Sequence, residues 1–266
     1  SDFKKVGLGY VDLNYPEHVK GYDANTMKSL LNKYDLKLNG VALRFRNKFI
    51  NGELGNSDPE LAKDALQLCK DAADYCRAVG GKVVTIWLGF DGFDYSFQIN
   101  YKRVWDQLVH AFQEVCDYAP DLQISIEYKP YEERYAFIDS MGVTGMMLND
   151  INRDNIGVTL DYCHMLMKHE NPAFAADIFG SRNKLYGIHL NDGYGVHDDG
   201  LMIGTSTPFK TLEMLYYFKK HGYKNAIYFD TFPVIEEAAA ECERNIEMIN
   251  YMNNLIDKVG LDYIQS

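Results

Sequence analysis

Residues 156–164 of this chain read Ile-Gly-Val-Thr-Leu-Asp-Tyr-Cys-His, a short apolar and β-branched run that ends in a carboxylate and an imidazole. Similar runs recur along the sequence, and each is followed by a longer stretch with the spacing of an amphipathic helix. This alternation is typical of βα units around a parallel sheet. The predicted strands are 10–14, 38–45, 82–88, 123–128, 156–161, 185–190 and 226–229. The predicted helices are 25–33, 59–79, 101–118, 140–151, 172–179, 208–221 and 236–258.

These elements favour a single α/β domain of the (β/α)8 TIM-barrel class that covers residues 1–266. Seven strands are one fewer than such a barrel needs. Residues 1–7 look like the tail of a helix that runs into a strand, so we expect the first strand to lie upstream of Ser1. No linker rich in proline or serine divides the chain, which favours one domain over two.

The composition narrows the class of protein further. With 266 residues, of which 47% are hydrophobic and 24% charged, the chain can bury a sizeable core, which excludes a disordered or fibrous protein. The formal net charge of -11 disfavours a nucleic-acid partner, and no apolar run is long enough for a membrane span. Five scattered cysteines without a CxxC pair predict reduced, mostly core thiols in a cytoplasmic protein.

Four consecutive predicted strands end in residues that can ligate a metal. Glu127, Asp161, His189 and Asp230 each follow an apolar run. In a parallel barrel the active site lies at the carboxyl ends of the strands, so we expect these side chains to meet at one rim. Three carboxylates and one imidazole suit one divalent ion such as Mn, Mg, Co or Zn.

The motifs that carry these residues resemble the xylose isomerase-like TIM-barrel superfamily. They are the segments 161–164 (Asp-Tyr-Cys-His), 187–192 (Gly-Ile-His-Leu-Asn-Asp) and 198–201 (Asp-Asp-Gly-Leu). Segments 91–98 and 127–132 add to the resemblance, which runs from about Trp87 to Asp230. The pattern is most similar to the L-rhamnose isomerase type, with sugar epimerases of the D-tagatose 3-epimerase type more distant.

The resemblance implies a role for each of the matching residues. One divalent ion, with Mn expected first, would be held by Glu127, Asp161, His189 and Asp230. Lys129 resembles the lysine that contacts substrate oxygens in these enzymes. His164 matches the histidine that ligates a second ion in two-metal isomerases and binds a substrate hydroxyl in one-metal relatives.

The chain departs from the family pattern at residues 197–200, His-Asp-Asp-Gly. The two-metal isomerases have Asp-X-Asp followed directly by Leu, whereas Gly200 intervenes here before Leu201. We therefore expect one ion rather than two. Asp198 and Asp199 are expected to bind substrate, to order a water molecule or to lie on a solvated loop. The full set of expected substrate-binding residues is Lys129, Trp87, Phe90, Asp192, Asp198 and Asp199.

The expected reaction is isomerisation or epimerisation of an unphosphorylated sugar through proton abstraction and a metal-stabilised enediolate. Glu127 and Asp230 are expected to act as the acid/base pair as well as ligands, with His164 as a further catalytic residue. Trp87, Phe90 and Phe93 would form the walls that pack on the apolar face of the sugar.

Three other functions remain compatible with the sequence. A lyase of the C-glycoside deglycosidase type would use the same proton abstraction on a 3-oxo-glycoside, together with a small β-rich partner subunit. A barrel endonuclease for abasic DNA sites is disfavoured by the charge of -11 and by only seven histidines. A non-catalytic sugar-binding barrel would be expected to lack one of the four ligands. For the isomerase, we expect a small-molecule sugar as the partner and a homo-oligomer.

Overall fold

A computed structural model describes residues 2–131 and 134–264 of the chain. The chain divides into two compact units, and each is described by itself. The N-terminal unit comprises Tyr10–Thr159. The C-terminal unit comprises Leu160–Ser266 together with Ser1–Gly9.

The N-terminal unit is a succession of parallel strands connected by helices. Its strands are β1 (Tyr10–Tyr15), β2 (Lys37–Leu43), β3 (Val83–Trp87), β5 (Gln123–Glu127) and the first four residues of β7 (Ile156–Asp161). The helices are α2 (Ala24–Lys33), α3 (Pro59–Val79), α4 (Tyr101–Tyr118) and α5 (Met141–Ile151). Two short strands, β4 (Gly92–Phe93) and β6 (Tyr135–Ala136), pair antiparallel beside this sheet.

Local sequence accounts for the boundaries of α3. The Asp58 side chain accepts a hydrogen bond from the backbone N–H of Glu60 at 2.9 Å, and Pro59 occupies the first turn, where no N–H is needed. Gly80 ends the helix with a φ of 100°, a left-handed conformation that glycine adopts without strain. The predicted helix 59–79 is thereby confirmed.

A layer of hydroxyl groups lies on one face of the N-terminal strands. Thr159 Oγ1 is 2.7 Å from Ser125 Oγ and 3.3 Å from Thr85 Oγ1. Each of these residues is followed two positions later by Trp87, Glu127 or Asp161. Because side chains alternate along a strand, those three residues project to the same side as the hydroxyl groups, one layer nearer the carboxyl ends.

The C-terminal unit contains the remaining elements. Its strands are β8 (Leu185–Leu190) and β9 (Ile227–Phe229), which pair in parallel, and β7 contributes its last two residues. The helices are α1 (Asp2–Lys5), α6 (Tyr162–Met167), α7 (Pro172–Gly180), α8 (Pro208–Lys220), α9 (Ala238–Val259) and α10 (Leu261–Ile264).

All seven predicted strands are present, with ends that differ by no more than two residues. The last long helix begins at Ala238 rather than at 236, because the Glu237 side chain caps it by accepting from Ala240 N at 2.8 Å. The sequence did not predict α6, α10 or the β4–β6 pair. The helix at Asp2–Lys5 agrees with the expected helical tail, while the upstream strand and the single domain stay predictions.

Two further expectations concern cysteines and membranes. Cys69, Cys76, Cys116 and Cys163 are buried, as core thiols should be. Among the residues that the structure describes, none of the helices combines the length and the apolar character that a membrane crossing requires.

Candidate functional site

Asp161 marks the point at which β7 ends and α6 begins. Its side chain accepts a hydrogen bond from His164 N at 3.1 Å and so caps the helix. This cap explains the spacing of Asp161 and His164, because the capped N–H belongs to the third residue after the aspartate. Both side chains are buried, with 1% and 3% of their surface exposed.

The C-terminal unit brings three predicted metal ligands together. His189 Nδ1 lies 3.9 Å from Asp161 Oδ2 and 3.7 Å from Asp230 Oδ2, and the ligand atoms of the three residues lie within 4.8 Å of one another. These distances are too long for direct hydrogen bonds. The 3.7 and 3.9 Å separations are short enough for one ion with bonds of about 2.0–2.2 Å to contact both atoms of either pair. The His189 ring also packs on Tyr228, with centroids 4.9 Å apart.

Asn191 holds the same carboxylate in place, although the sequence did not assign it a role. Its Nδ2 lies 3.4 Å from each oxygen of Asp161 and donates to the backbone carbonyl of Asp230 at 3.0 Å. Its Oδ1 accepts from Cys163 N at 2.9 Å. The sequence feature that could have indicated this role is the position of Asn191 two residues after His189, because alternate residues of a strand lie on the same face.

His164 belongs to a second, adjacent group. Its Nε2 lies 3.4 Å from Asp198 Oδ2 and 3.9 Å from Asp161 Oδ1, and these three residues also form a set with ligand atoms within 4.8 Å. Asp161 therefore belongs to both groups. Of the two neighbouring aspartates in the 197–200 segment, Asp198 is the one that faces His164.

The glycine that interrupts the family pattern has a structural reason. Gly200 has a φ of 58°, and a Cβ built on it would lie 2.3 Å from the Phe232 ring. Its carbonyl also accepts a hydrogen bond from Phe232 N at 2.8 Å. This contact holds the loop around Gly200 against the segment that follows Asp230.

Asp192, expected to bind substrate, has structural contacts within its own loop, and its contact with substrate stays a prediction. Asp192 is fully buried, and its Oδ2 accepts from the backbone N–H groups of Ser206 and Thr207 at 2.8 and 2.9 Å. Its Oδ1 accepts from Gly193 N and from Thr207 Oγ1 at 2.9 and 2.8 Å. Because its carboxylate is saturated by these donors, Asp192 organises the loop that leads into α8.

Asp199 also has a local structural contact. Its Oδ2 accepts from Tyr194 N at 2.7 Å and so braces the loop that follows β8. The substrate contact expected for Asp199 stays a prediction.

The N-terminal unit places Glu127, Lys129 and Trp87 at the carboxyl ends of β5 and β3. Glu127 is the last residue of β5 and pairs with Trp87 on one side and Thr159 on the other. Lys129 is buried, and its Nζ lies 5.3 Å from the centre of the Trp87 ring. The expected contact between Lys129 and substrate oxygens stays a prediction.

Phe90 lies at a buried pair of carboxylates that the sequence did not predict. Phe90 N donates to both Glu53 oxygens, at 2.9 and 3.0 Å. Asp91 accepts from Glu53 N and from Gly55 N, each at 2.8 Å. Burial raises the pKa of Asp91 to about 6 and, together with the charge of Asp91, holds the pKa of Glu53 well above its usual range.

These contacts join the loop after β2 to the loop after β3. Phe90 is half-buried beside the joined loops. Phe93 packs against Tyr101 and Tyr135, with ring centroids 5.4 and 6.3 Å apart. The expected contact of Phe90 and Phe93 with a sugar stays a prediction.

Comparison with known proteins finds relatives that share the fold of this chain. Residues 2–251 match the family model described as xylose isomerase-like TIM barrel. A probable sugar isomerase of Mesorhizobium japonicum is 25% identical over 198 residues, which are 71% of this chain and 42% of that protein. The xylose isomerase of Thermus thermophilus is 23% identical over 68% of this chain and 49% of its own length.

Among solved structures, a D-allulose 3-epimerase from Methylomonas sp. superimposes with a TM-score of 0.78 at 18% identity, over 93% of this chain and 88% of the other. This likeness and the family match confirm the TIM-barrel fold class expected from the sequence. The chain spans less than half the length of the two curated relatives.

Proposed function

Because the chain belongs to the xylose isomerase-like TIM-barrel family, we propose that it is a divalent-metal-dependent isomerase or epimerase of an unphosphorylated sugar. The observation that carries the proposal is the cluster of Asp161, His189 and Asp230. Asp161 and His189 are buried, and buried ionisable groups are costly unless they are paired or bound to a cation. The sugar isomerases and epimerases among the similar proteins support this class of reaction.

The donor atoms in the cluster fit a divalent ion. Two carboxylates and an imidazole are ligands that Mn and Zn both accept, and Mn is our first expectation. Asn191 supplies the outer contact that orients the Asp161 carboxylate, a common feature of metal sites in proteins.

We propose Glu127 as the fourth ligand. Glu127 pairs with Thr159 between β5 and β7, and Asp161 lies two residues farther along β7. Since alternate residues of a strand share a face, Glu127 and Asp161 belong to the same face of neighbouring strands. This register supports a common ligand set.

A bound divalent ion would polarise a substrate carbonyl and stabilise the negative charge that develops when the adjacent carbon loses its proton. Glu127 and Asp230 would take up and return that proton, in addition to holding the ion. The buried position of Glu127 limits competition from water for this proton.

His164 and Lys129 are proposed to orient the sugar. His164 Nε2 lies near the Asp198 carboxylate, which would hold the imidazole in position to bind a substrate hydroxyl. The Lys129 ammonium group would donate hydrogen bonds to substrate oxygens. Trp87 would offer its indole face to the apolar side of the sugar ring.

The test is a turnover assay with Mn on a panel of free ketoses and aldoses. We expect activity that EDTA abolishes and that Glu127→Gln lowers by at least about a hundredfold, because a positioned acid/base group contributes roughly that much. Glu114→Gln removes an exposed carboxylate that pairs with Lys70 and should leave turnover unchanged. Activity that survives EDTA, or an undiminished Glu127 variant, would contradict the proposal.

The same panel should include 3-oxo-glycosides. Proton abstraction beside their ketone would expel the aglycone and make the protein a lyase. Release of an aglycone without conversion of free sugars would replace the isomerase assignment with the lyase.

A further inference from the structure

Arg44 lies in the same row of side chains as Trp87 and Glu127. Ala42 pairs with Thr85 in β3, and Trp87 pairs with Glu127 in β5. Arg44 follows Ala42 by two residues, as Trp87 follows Thr85. Side-chain alternation therefore places Arg44 level with Trp87 at the carboxyl ends of the N-terminal strands.

Two cationic side chains, one from a residue before Trp87 in the sequence and one from a residue after it, lie close to the Trp87 ring. The Arg44 guanidinium carbon lies 5.2 Å from the ring centre, and Lys129 Nζ lies 5.3 Å from it. Both contacts are within the range of cation–π attraction, which holds the charged groups beside the indole. Two cationic groups therefore lie beside Trp87 in this row, although the whole chain carries -11.

The Arg44 guanidinium has no hydrogen-bond acceptor among the residues whose side chains the structure describes. The arginines at 46, 77 and 153 differ, since each forms an ion pair with a carboxylate. A guanidinium carries five N–H donors in a planar fork that matches a carboxylate at two points. The half-buried Arg44 guanidinium, which lacks an acceptor, can therefore bind an anionic group from outside the chain.

The position of Arg44 sets the size of that ligand. Strands β2 and β5 are separated by β3, so their axes lie about 10 Å apart. This separation suits a chain of five or six carbons that contacts the Glu127 end with its reacting oxygens and Arg44 with its other end. A carboxylate is favoured over a phosphate group, because one guanidinium satisfies both carboxylate oxygens but leaves phosphate oxygens without donors.

We propose that Arg44 binds the carboxylate of the substrate, so that the preferred substrates are sugar acids rather than neutral sugars. This inference rests on the proposed function, because it takes the row beside Glu127 as the substrate side. Arg44 is then a specificity-determining residue, and it contributes to binding without taking part in proton transfer.

The test compares the binding of three ligands that differ at one carbon, D-glucuronate, D-glucose and D-glucose 6-phosphate. The chain has two tryptophans, so a Trp105→Phe background leaves Trp87 as the only indole reporter next to Arg44. Fluorescence titration of the Mn-loaded protein gives the three affinities. Calorimetry on the chain without the Trp105 change provides the same affinities independently of that substitution.

We expect glucuronate to bind about ten- to a hundredfold more tightly than glucose, the range that a charge-assisted hydrogen bond supplies. Arg44→Gln should reduce this preference to less than about twofold, and Arg44→Lys should retain part of it. Arg46→Gln, which removes a neighbouring exposed arginine paired with Glu17, should leave the preference unchanged. A role for Arg44 in folding alone would alter stability but not the ratio of the two affinities.

Equal affinities for glucuronate and glucose, a preference that survives Arg44→Gln, or no binding of any ligand would overturn the inference. Tighter binding of the 6-phosphate than of glucuronate would overturn the choice of a carboxylate. Metal-dependent turnover of neutral sugars without an acid preference would sink the inference and leave the proposed function intact. An Arg44-dependent acid preference without turnover of any sugar would instead refute the proposed function.

Discussion

Replacing Asp91 with asparagine should change how the stability of the protein depends on pH. Asp91 is 3% exposed, and its two oxygens each accept a backbone N–H group in the buried pair with Glu53. Burial raises its pKa from the ordinary 3.8 to about 6. The folded state therefore holds the Asp91 proton more tightly than the unfolded state does.

The sign of the effect follows from that difference. Below about pH 4 the carboxyl is protonated in both states, and its full contribution to stability is present. As pH rises through 6 the buried group must ionise, and the free energy of unfolding falls. A rise of about two pKa units corresponds to about 3 kcal/mol over the whole window, of which about 2 kcal/mol lies between pH 4.5 and pH 8.

The asparagine side chain would not titrate, but its amide offers only one acceptor oxygen. The second N–H group loses its partner, which costs about 1–3 kcal/mol at every pH. Asp91→Asn should therefore be less stable than the wild type at pH 4.5, and the deficit should shrink by about 2 kcal/mol by pH 8. Loss of the Asp91 charge also lowers the pKa of Glu53. The stability of the variant therefore falls less as pH rises, and its deficit against the wild type shrinks further.

Urea unfolding followed by circular dichroism at the two pH values measures this difference. Groups that titrate alike in both proteins cancel, so the change in the deficit isolates the buried pair. Asp117→Asn is the control whose deficit should stay nearly constant between pH 4.5 and pH 8, because Arg153 lowers the pKa of Asp117 and its carboxylate is mostly ionised in both states across this window. A deficit for Asp91→Asn that stays constant or grows toward pH 8 would refute the reasoning.

Four further substitutions test other parts of the structure. Gly200→Ala should destabilise the protein by about 1–3 kcal/mol in thermal unfolding, because alanine at a φ of 58° is strained and its Cβ meets the Phe232 ring. Gly142→Ala, in a helix where the added Cβ meets no atom, should instead be neutral or stabilising by up to about 1 kcal/mol. Asn191→Ala should weaken Mn binding by about ten- to a hundredfold in calorimetry, because the Asp161 carboxylate loses its orienting contact. An unchanged affinity for Mn would contradict the orienting role of Asn191. Mn at a hundred times its dissociation constant should stabilise the wild type by about 2.7 kcal/mol, and His189→Gln should remove most of that gain; an equal gain in both proteins would place the ion elsewhere.

The local sequence was sufficient to predict the order of the elements. Strand and helix periods, the Asp58-Pro59 start and the Gly80 end of α3 depend on neighbouring residues only. The short helix α6 escaped prediction because its six residues are all buried and so have no polar face to reveal a helical period. The β4–β6 pair escaped because two-residue strands form through contacts between distant segments.

The candidate site shows the same division. The sequence by itself determined which residue types end the strands, because βα units bring strand ends to one rim whatever their loops do. Only the tertiary structure decided what each carboxylate does. Asp192 is saturated by N–H groups from residues 14 and 15 positions away, whereas Asp230 lies 3.7 Å from His189. The two aspartates look alike in the sequence, and their different partners come from loops whose paths are fixed by packing between segments far apart in the chain.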